Sequence, residues 1–487
     1  MDPRESLVFD ADFPDKRPVS TKILHSPSIL ELGPDFYDPV TPARFVDPQL
    51  RYRNTSAAEQ IGLQDLSAPE WMLRMSEFTP FPGNLPEPLA LRYHGHQFTH
   101  YNPDLGDGRG FLYAQFLNPE NGKLYDLGTK GSGQTPYSRD GDGRLTLKGA
   151  VREILATELL ESLGVNTSKT FSVTETGESL IRYDEPSPTR AAVLVRMSHG
   201  HIRIGTFQRL AHIAQAINIK KLTAYSLRHY YPEITPRDES DGAKLFLGGV
   251  VRRCALLTAQ WMFAGFVHGV LNSDNINISG ESFDYGPYRF LPTYDVTFTA
   301  AYFDRSGLYS FGRQPVAMLW NLEQLALSLR FAFPELPAEE ILRDFGDEFN
   351  LQVRRLMLQR LNLQSRGPDA DAELLVAYFK FLESSGVSYE QSFFDFFGGC
   401  QESRLQASPQ SEGYHGEDFD RLTVALKKFT AADPALLAHS YFQGGKPCTL
   451  LIDELEEIWK PIHESDDWTR FETKLVEIRS FRGIYAG

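Results

Sequence analysis

The stretch at 248–269, GGVVRRCALLTAQWMFAGFVHG, constrains the fold more than any other part of the chain. It is apolar on most of its circumference, and its only charges are the adjacent Arg252 and Arg253. Such a stretch is stable in water only as a helix covered by neighbours on nearly every side. No run in the sequence approaches the length of a membrane span, so the cover must be protein. A chain of 487 residues with 34 Phe can supply it, and that length predicts two or three packed lobes rather than one small core.

The net charge of −15 argues against a broad nucleic-acid surface, which needs clustered Lys and Arg. An anionic ligand would have to sit in a local basic pocket against the global field. Cys254, Cys400 and Cys448 stand far apart with no CxxC, so neither a zinc site nor a disulfide framework is signalled. The first residues, MDPRESLVFDADFPDKRP, lack the apolar core of a signal peptide. Reduced thiols in a cytoplasmic protein without a membrane partner are the expectation.

Residues 1–87 are Pro-rich and weakly periodic, with a short helical piece at 66–76, and read as an extension wrapping the lobes. From 88 to 205 strand patterns and glycine turns dominate. FLYAQFLNPENGKLYDLGTK predicts a hairpin with strands at 111–117 and 124–129. A helix follows over 145–163, where Leu147, Val151, Ile154, Leu155, Leu159 and Leu163 recur at helical spacing and Gly164 stands ready to stop it. Further strands are predicted at 170–174, 179–183 and 191–197. Residues 206–400 are mainly helical, with an irregular polar stretch from 270 to 302 and helices at 316–332, 336–362 and 371–384. A helical extension, 401–487, contains a loop at 408–418. A β-rich lobe followed by an α-rich lobe is an α+β fold, and the crevice between such lobes is the expected ligand site.

Four groups of residues carry chemistry. Lys130 ends a predicted strand and Glu153 lies on the following helix, the arrangement by which kinase-type sites aim an ammonium at phosphates. Taken alone, the pair is better read as a surface lysine and a solvated helix glutamate. HGVLNSDNINISGESFDYG, at 268–286, places Asp274 and Asn275 after the buried helix and opens a D-Y-G triplet at Asp284. Protein kinases use an Asp, a downstream Asn and an Asp-Phe-Gly aspartate for base and metal, although here the Asn is adjacent to the Asp. The blander reading is an Asx-rich turn. LGDGRG, at 105–110, and SRDGDGR, at 138–144, could let backbone N–H groups approach phosphates, but D-G pairs are more often hairpin turns. RMSHGHIRIG, at 196–205, carries Arg196 and Arg203, able to grip a phosphate or simply to lie on an acidic surface. His199 and His201 in the same stretch read as structural rather than metal-binding.

Assembled in order, YHGHQF, LGDGRG, KGSGQTPYSRDGDGR, VREIL, RMSHGHIRIGTF, GFVHGVLNSDN and FDYGPYRFL resemble the selenoprotein O family of kinase-like protein adenylyltransferases. The resemblance runs from about Tyr93 to Asp295 and is looser outside that span. It implies a protein-kinase-like two-lobed fold with N-terminal and C-terminal extensions. It also implies ATP bound in a flipped orientation, with AMP passed to Ser, Thr or Tyr hydroxyls of acceptor proteins. By motif, Lys130 would contact the phosphates and Glu153 would fix it. Gly106, Gly108, Arg109, Asp142 and Gly143 would line the nucleotide. Arg196 and Arg203 would hold the distal phosphates. Asp274 would be the general base, and Asn275 and Asp284 would bind Mg²⁺ or Mn²⁺. The chain departs from the family pattern at Gly200 (usually Ser), at Gln208 (usually Glu) and in NSDN (usually NTDN), which bears on rate or substrate choice. The closing FRGIYAG has no selenocysteine, so redox regulation through that tail is unsupported. A kinase using the γ-phosphate and a silent nucleotide-binding scaffold are the competing expectations.

Overall fold

A computed structural model describes residues 23–183 and 185–485. The fold is mixed α and β, built around one large antiparallel sheet. The chain divides into two compact units. The first comprises the described residues up to Arg92 together with Asp104–Ala150 and Lys169–His201; the second comprises Tyr93–Pro103, Val151–Ser168 and the described residues from Ile202 onward.

In the first unit the main strand order is Tyr37–Pro39, Leu89–Leu91, Leu112–Leu117, Leu124–Lys130, Thr189–Ser198, Lys169–Leu180 and Gln49–Arg53. Leu24–His25 pairs with Leu112–Leu117, and Leu145–Thr146 pairs with Thr189–Ser198, giving nine strands. The expected hairpin is present. Asn118 Oδ1 accepts from the N–H groups of Glu120 and Asn121, and Gly122 supplies the positive φ that closes the turn. The strands expected at 170–174 and 179–183 form one strand, Lys169–Leu180, whose register slips between Glu175 and Ser179. A bulge preserves continuity where the alternation of side chains breaks. The core under the sheet is aromatic. Trp71 stacks on Phe171 with ring centroids 5.0 Å apart, and Phe78 meets Phe111 edge-on at 5.2 Å. Trp71 comes from the helix Ala68–Met75, begun by a capping box between Ser67 and Glu70.

The second unit is mostly helical. The apolar helix spans Glu239–Phe263 and packs along Ala338–Arg360. Phe263, Val267, Phe311, Phe381, Tyr389 and Phe393 form part of the core beside it. It is shorter at its C-terminal end than the apolar run suggests. Gly265 turns the chain with φ +60°, where an added Cβ would lie 2.8 Å from the Tyr389 ring. Phe266–His268 then pairs antiparallel with Tyr288–Phe290, and Gly269 N–H donates to Pro287 O at 2.9 Å. Residues 269–287 are therefore a loop whose two ends are clamped together. At the far C-terminus Arg479 and Arg482 converge on the buried carboxylate of Glu158, at 3.0 and 2.6 Å. No helix among the described residues is long and apolar enough to cross a membrane.

Candidate functional site

Asp274 and Asn275 lie on a single 3-10 turn, Ser273–Asn275, within the clamped loop. Asp274 is 8% exposed. Its carbonyl accepts from Arg203 Nη1 at 2.7 Å, and the same nitrogen donates to Asp284 Oδ2 at 3.1 Å. One guanidinium nitrogen thus joins the two acidic residues that the sequence separates. Arg203 is 3% exposed, with its guanidinium carbon 4.4 Å from the centre of the Tyr93 ring and 4.8 Å from that of Phe283. Two ring faces hold a charge that burial would otherwise disfavour. Its backbone is held as well: Ile204 N–H donates to Ile276 O at 3.0 Å and Ile278 N–H to Ile202 O at 3.1 Å. Asn275 donates its side-chain amide to Val270 O at 3.0 Å, leaving the carboxamide oxygen as its remaining acceptor. Asp284 has φ +63°, uncommon for a non-glycine residue and typical of strained functional loops.

Glu153 is buried on the helix Leu147–Ser162, in the part belonging to the second unit. Tyr288 donates to Arg152 O at 2.6 Å and is pushed up to about 12 by burial, with Glu153 adding to the rise. Tyr285 of the D-Y-G triplet is raised further, by burial first and by Glu153 among lesser causes.

The remaining candidates lie in the first unit. Lys130 ends the strand Leu124–Lys130, opposite Leu194, and is buried. After it, Gly131 and Ser132 both donate to Arg109 O, at 2.7 and 3.4 Å, so the LGDGRG and KGSG segments are knitted together. The first two glycines of LGDGRG make room for residues 137–138. A Cβ at Gly106 would strike the Tyr137 ring at 2.3 Å and one at Gly108 the Tyr137 carbonyl at 2.8 Å. Gly143, at φ +69°, accepts from Gly133 N–H at 3.1 Å. Asp142 is bound by Arg182 at 2.8 and 3.1 Å and by Arg144 N–H at 3.0 Å; burial pushes its carboxyl up, and these donors more than reverse the effect.

Arg196 is buried opposite Gly128 in the sheet and donates from Nε to His201 Nε2 at 3.3 Å. His201 Nδ1 lies 3.3 Å from Asp126 Oδ2, while Gln115 donates to Asp126 Oδ1 at 2.7 Å. Burial lowers the His201 pKa, and the partners fix the neutral tautomer, protonated at Nδ1. The partner of His201 is the candidate phosphate-binding arginine. Asp126 and Gln115 carried no sequence signal beyond alternation along the strand.

The structure thus brings Arg203, Asp274, Asn275 and Asp284 together in one unit, and Lys130, Arg196 and the glycine segments in the other. Sequence reasoning missed Tyr93 as the ring over Arg203. Among the described residues no three His, Cys, Asp or Glu side chains cluster as a self-sufficient metal site. The oxygen donors Asn275 and Asp284 fit a hard cation such as Mg²⁺, which takes few protein ligands and completes its shell with water and phosphate.

A family model described as "Protein adenylyltransferase SelO" matches residues 19–479, well beyond the span of the motifs. The "Protein nucleotidyltransferase YdiU" of Trichormus variabilis is 43% identical over 472 residues, covering 94% of this chain and 96% of the relative. The protein of the same name from Synechocystis sp. is 43% identical over 474 residues, covering 94% and 98%. That from Gloeobacter violaceus is 42% identical over 467 residues, covering 93% and 95%.

Proposed function

The chain belongs to the SelO family, and from that membership we propose a protein adenylyltransferase of kinase-like fold that moves AMP from ATP to Ser, Thr or Tyr hydroxyls of acceptor proteins. The supporting observation is the Arg203 contact, which ties the backbone of Asp274 to the carboxylate of Asp284. A proton acceptor and a cation-binding carboxylate held by one group are what transfer to a hydroxyl requires.

In this reading ATP lies flipped, with its distal phosphates on Arg196 and Arg203 and its α-phosphorus presented to the acceptor. Lys130 adds positive charge at the phosphates, and Gly106, Gly108, Arg109, Asp142 and Gly143 line the nucleotide. Phosphate arriving at Arg203 exchanges with Asp284, whose carboxylate is then available to a cation alongside Asn275. That cation, Mg²⁺ or Mn²⁺, supplies neutralisation of the non-bridging phosphate oxygens when bound. The acceptor oxygen bonds to the α-phosphorus, the bond from that phosphorus to the oxygen bridging to the β-phosphorus breaks, and pyrophosphate leaves. Asp274 takes the hydroxyl proton as the new bond forms.

Label position tests the reading. With ATP labelled at the α-phosphorus, radioactivity should appear on protein; with ATP labelled at the γ-phosphorus, it should not. Transfer of γ-label alone would establish a kinase, and no transfer of either label would leave a binding scaffold.

A further inference from the structure

We propose that Tyr93–Pro103 is a strap that sets the position of Asp274, with Gly95, Ser273 and Gln208 as its positioning residues. The inference rests on the reading of Asp274 as proton acceptor and adds how that group is held.

The strap is a small hairpin. Gly95–Gln97 pairs antiparallel with His100–Asn102 across Phe98 and Thr99, both at positive φ, 49° and 68°. Two consecutive non-glycine residues in that region are a strained turn that persists only where surrounding contacts hold it. Those contacts lead to the Asp274 loop. Phe98 N–H donates to Asn272 Oδ1 at 3.1 Å, and the Tyr309 hydroxyl donates to the same oxygen at 2.7 Å. His96 N–H donates to Ser273 Oγ at 2.7 Å. The Ser273 hydroxyl donates to Gln208 Oε1, and Gln208 Nε2 donates back to His96 Nδ1 at 2.7 Å. The circuit is closed: strap backbone, loop hydroxyl, helix amide, strap imidazole. Each group has one role that its neighbour fixes, so the residue immediately before Asp274 has little freedom to rotate.

Gly95 is the point of closest approach. A Cβ there would lie 2.8 Å from Asp274 Oδ1 and 2.9 Å from Asp274 Cβ. Its backbone is not among the glycines at positive φ, so no turn conformation calls for glycine at this position. What calls for it is the carboxylate beside it. Gly205 holds the same end of the strap, one residue before Gly95: its carbonyl accepts from His94 N–H at 3.1 Å, and a Cβ there would meet His94 O at 2.1 Å. The strap therefore reaches the loop through small groups and hydrogen bonds, and it bears directly on the side chain that takes the proton.

The test is a KM-against-kcat split on the full-length protein, with affinity for a non-hydrolysable ATP analogue measured separately by calorimetry. Gly95→Ala should lower kcat by about 30-fold or more, since an ångström-scale misplacement of a reacting group costs on the order of 100-fold. Analogue affinity should stay within about 3-fold, because neither Gly95 nor Ser273 contacts, through the bonds described above, a side chain assigned to the nucleotide. Ser273→Ala should lower kcat by roughly 10-fold, and Ser273→Thr, which keeps the hydroxyl, should restore most of it. Gln208→Ala should resemble Ser273→Ala. In an Asp274→Asn background, Gly95→Ala should add almost nothing, as expected when two changes act through one group. Undiminished kcat in both Gly95→Ala and Ser273→Ala overturns the proposal. So does parallel loss of kcat and analogue affinity, which would make the strap general scaffolding, and so does Ser273→Thr behaving like Ser273→Ala. Should Asp274→Asn itself keep full turnover, the underlying reading fails; an inactive Asp274→Asn beside a fully active Gly95→Ala rejects the strap alone.

Discussion

Lys130 and Arg196 stand on paired strands whose register runs from Leu194 opposite Lys130 to Ser198 opposite Asp126. Asp274, Asn275 and Asp284 stand on a loop whose regular structure is one 3-10 turn and whose shape comes from two backbone bonds, at Ile276 and Ile278, and from side chains: Arg203, Ser273, Asn272 and Asn275 itself. In the first region the backbone places the charge, and the side chain needs only local orientation. In the second, side chains share with two backbone bonds the placing of the loop. The same kind of error should therefore have different consequences. A misfit between strands disturbs a ladder that the whole sheet shares, so it lowers stability. A misfit in the loop moves a few reactive atoms while the clamp at Gly269 and Pro287 keeps the unit folded, so it lowers rate.

The largest effect expected from this contrast lies in the loop. Asp274→Asn keeps the shape and removes the proposed proton acceptor, and it should lower kcat by about 10²–10⁴-fold with the melting temperature close to that of the parent. Steady-state transfer of α-label together with calorimetric melting checks both halves. A large drop in melting temperature would break the contrast, because the loop would then carry the fold. Next come Asn275→Ala and Asp284→Ala. Each removes a proposed oxygen ligand at the phosphates, where such groups are worth about 3–4 kcal/mol of transition-state stabilisation. The expected loss is on the order of 10²–10³-fold in turnover, measured across a range of Mg²⁺ concentrations. Activity that survives in both variants would remove the loop from the chemistry.

The two regions were also unequally legible. The hairpin Leu112–Leu117 and Leu124–Lys130, the helix Leu147–Ser162 and the buried helix Glu239–Phe263 follow from alternation, helical spacing and apolar content, which are local properties. The short strands Leu24–His25, Tyr37–Pro39 and Gln49–Arg53 do not, since strands this short show no period and are made by the neighbours they pair with. For the site, residue types and order marked Asp274, Asn275 and Asp284 as candidates. Spacing could not show that one nitrogen of Arg203 touches both acids, or that Tyr93 and Phe283 flank it. Nor could it show that Tyr93–Pro103 leaves the strand-rich unit for the helical one. Contacts between residues far apart in the chain leave no periodic trace.

A smaller effect sharpens the strand side of the contrast. Gly128 packs against the His201 ring, and a Cβ there would lie 2.2 Å from His201 Nε2. Neither the strand nor the buried imidazole can yield easily. Gly128→Ala should cost about 1–3 kcal/mol, the usual range for overpacking, and should lower the melting temperature. Its counterpart in the loop region, Gly95→Ala, should leave the melting temperature near the parent value while lowering kcat. If Gly128→Ala were thermally silent, backbone placement would not be what fixes Arg196.

The smallest effect is a pH dependence. Burial lowers the His201 pKa from its ordinary 6.5, hydrogen bonding to Asp126 opposes that, and Arg196 lowers it further. The folded protein therefore resists protonating this imidazole, whereas the unfolded chain takes the proton near 6.5. Below that pH the unfolded state binds more protons than the folded state, so the contribution of His201 to stability is fully present above 6.5 and falls as the solution is acidified. The chain has twelve histidines, so the informative quantity is a difference. The gap in melting temperature between the parent protein and His201→Asn should narrow from pH 7.5 toward about pH 5, because the variant has lost the group that resists protonation. A gap that stays constant or widens would mean that His201 takes a proton freely. Arg196 would then face a positive imidazolium instead of a hydrogen-bond acceptor, and the strand-borne guanidinium would be as dependent on its side-chain partners as the loop-borne carboxylates are.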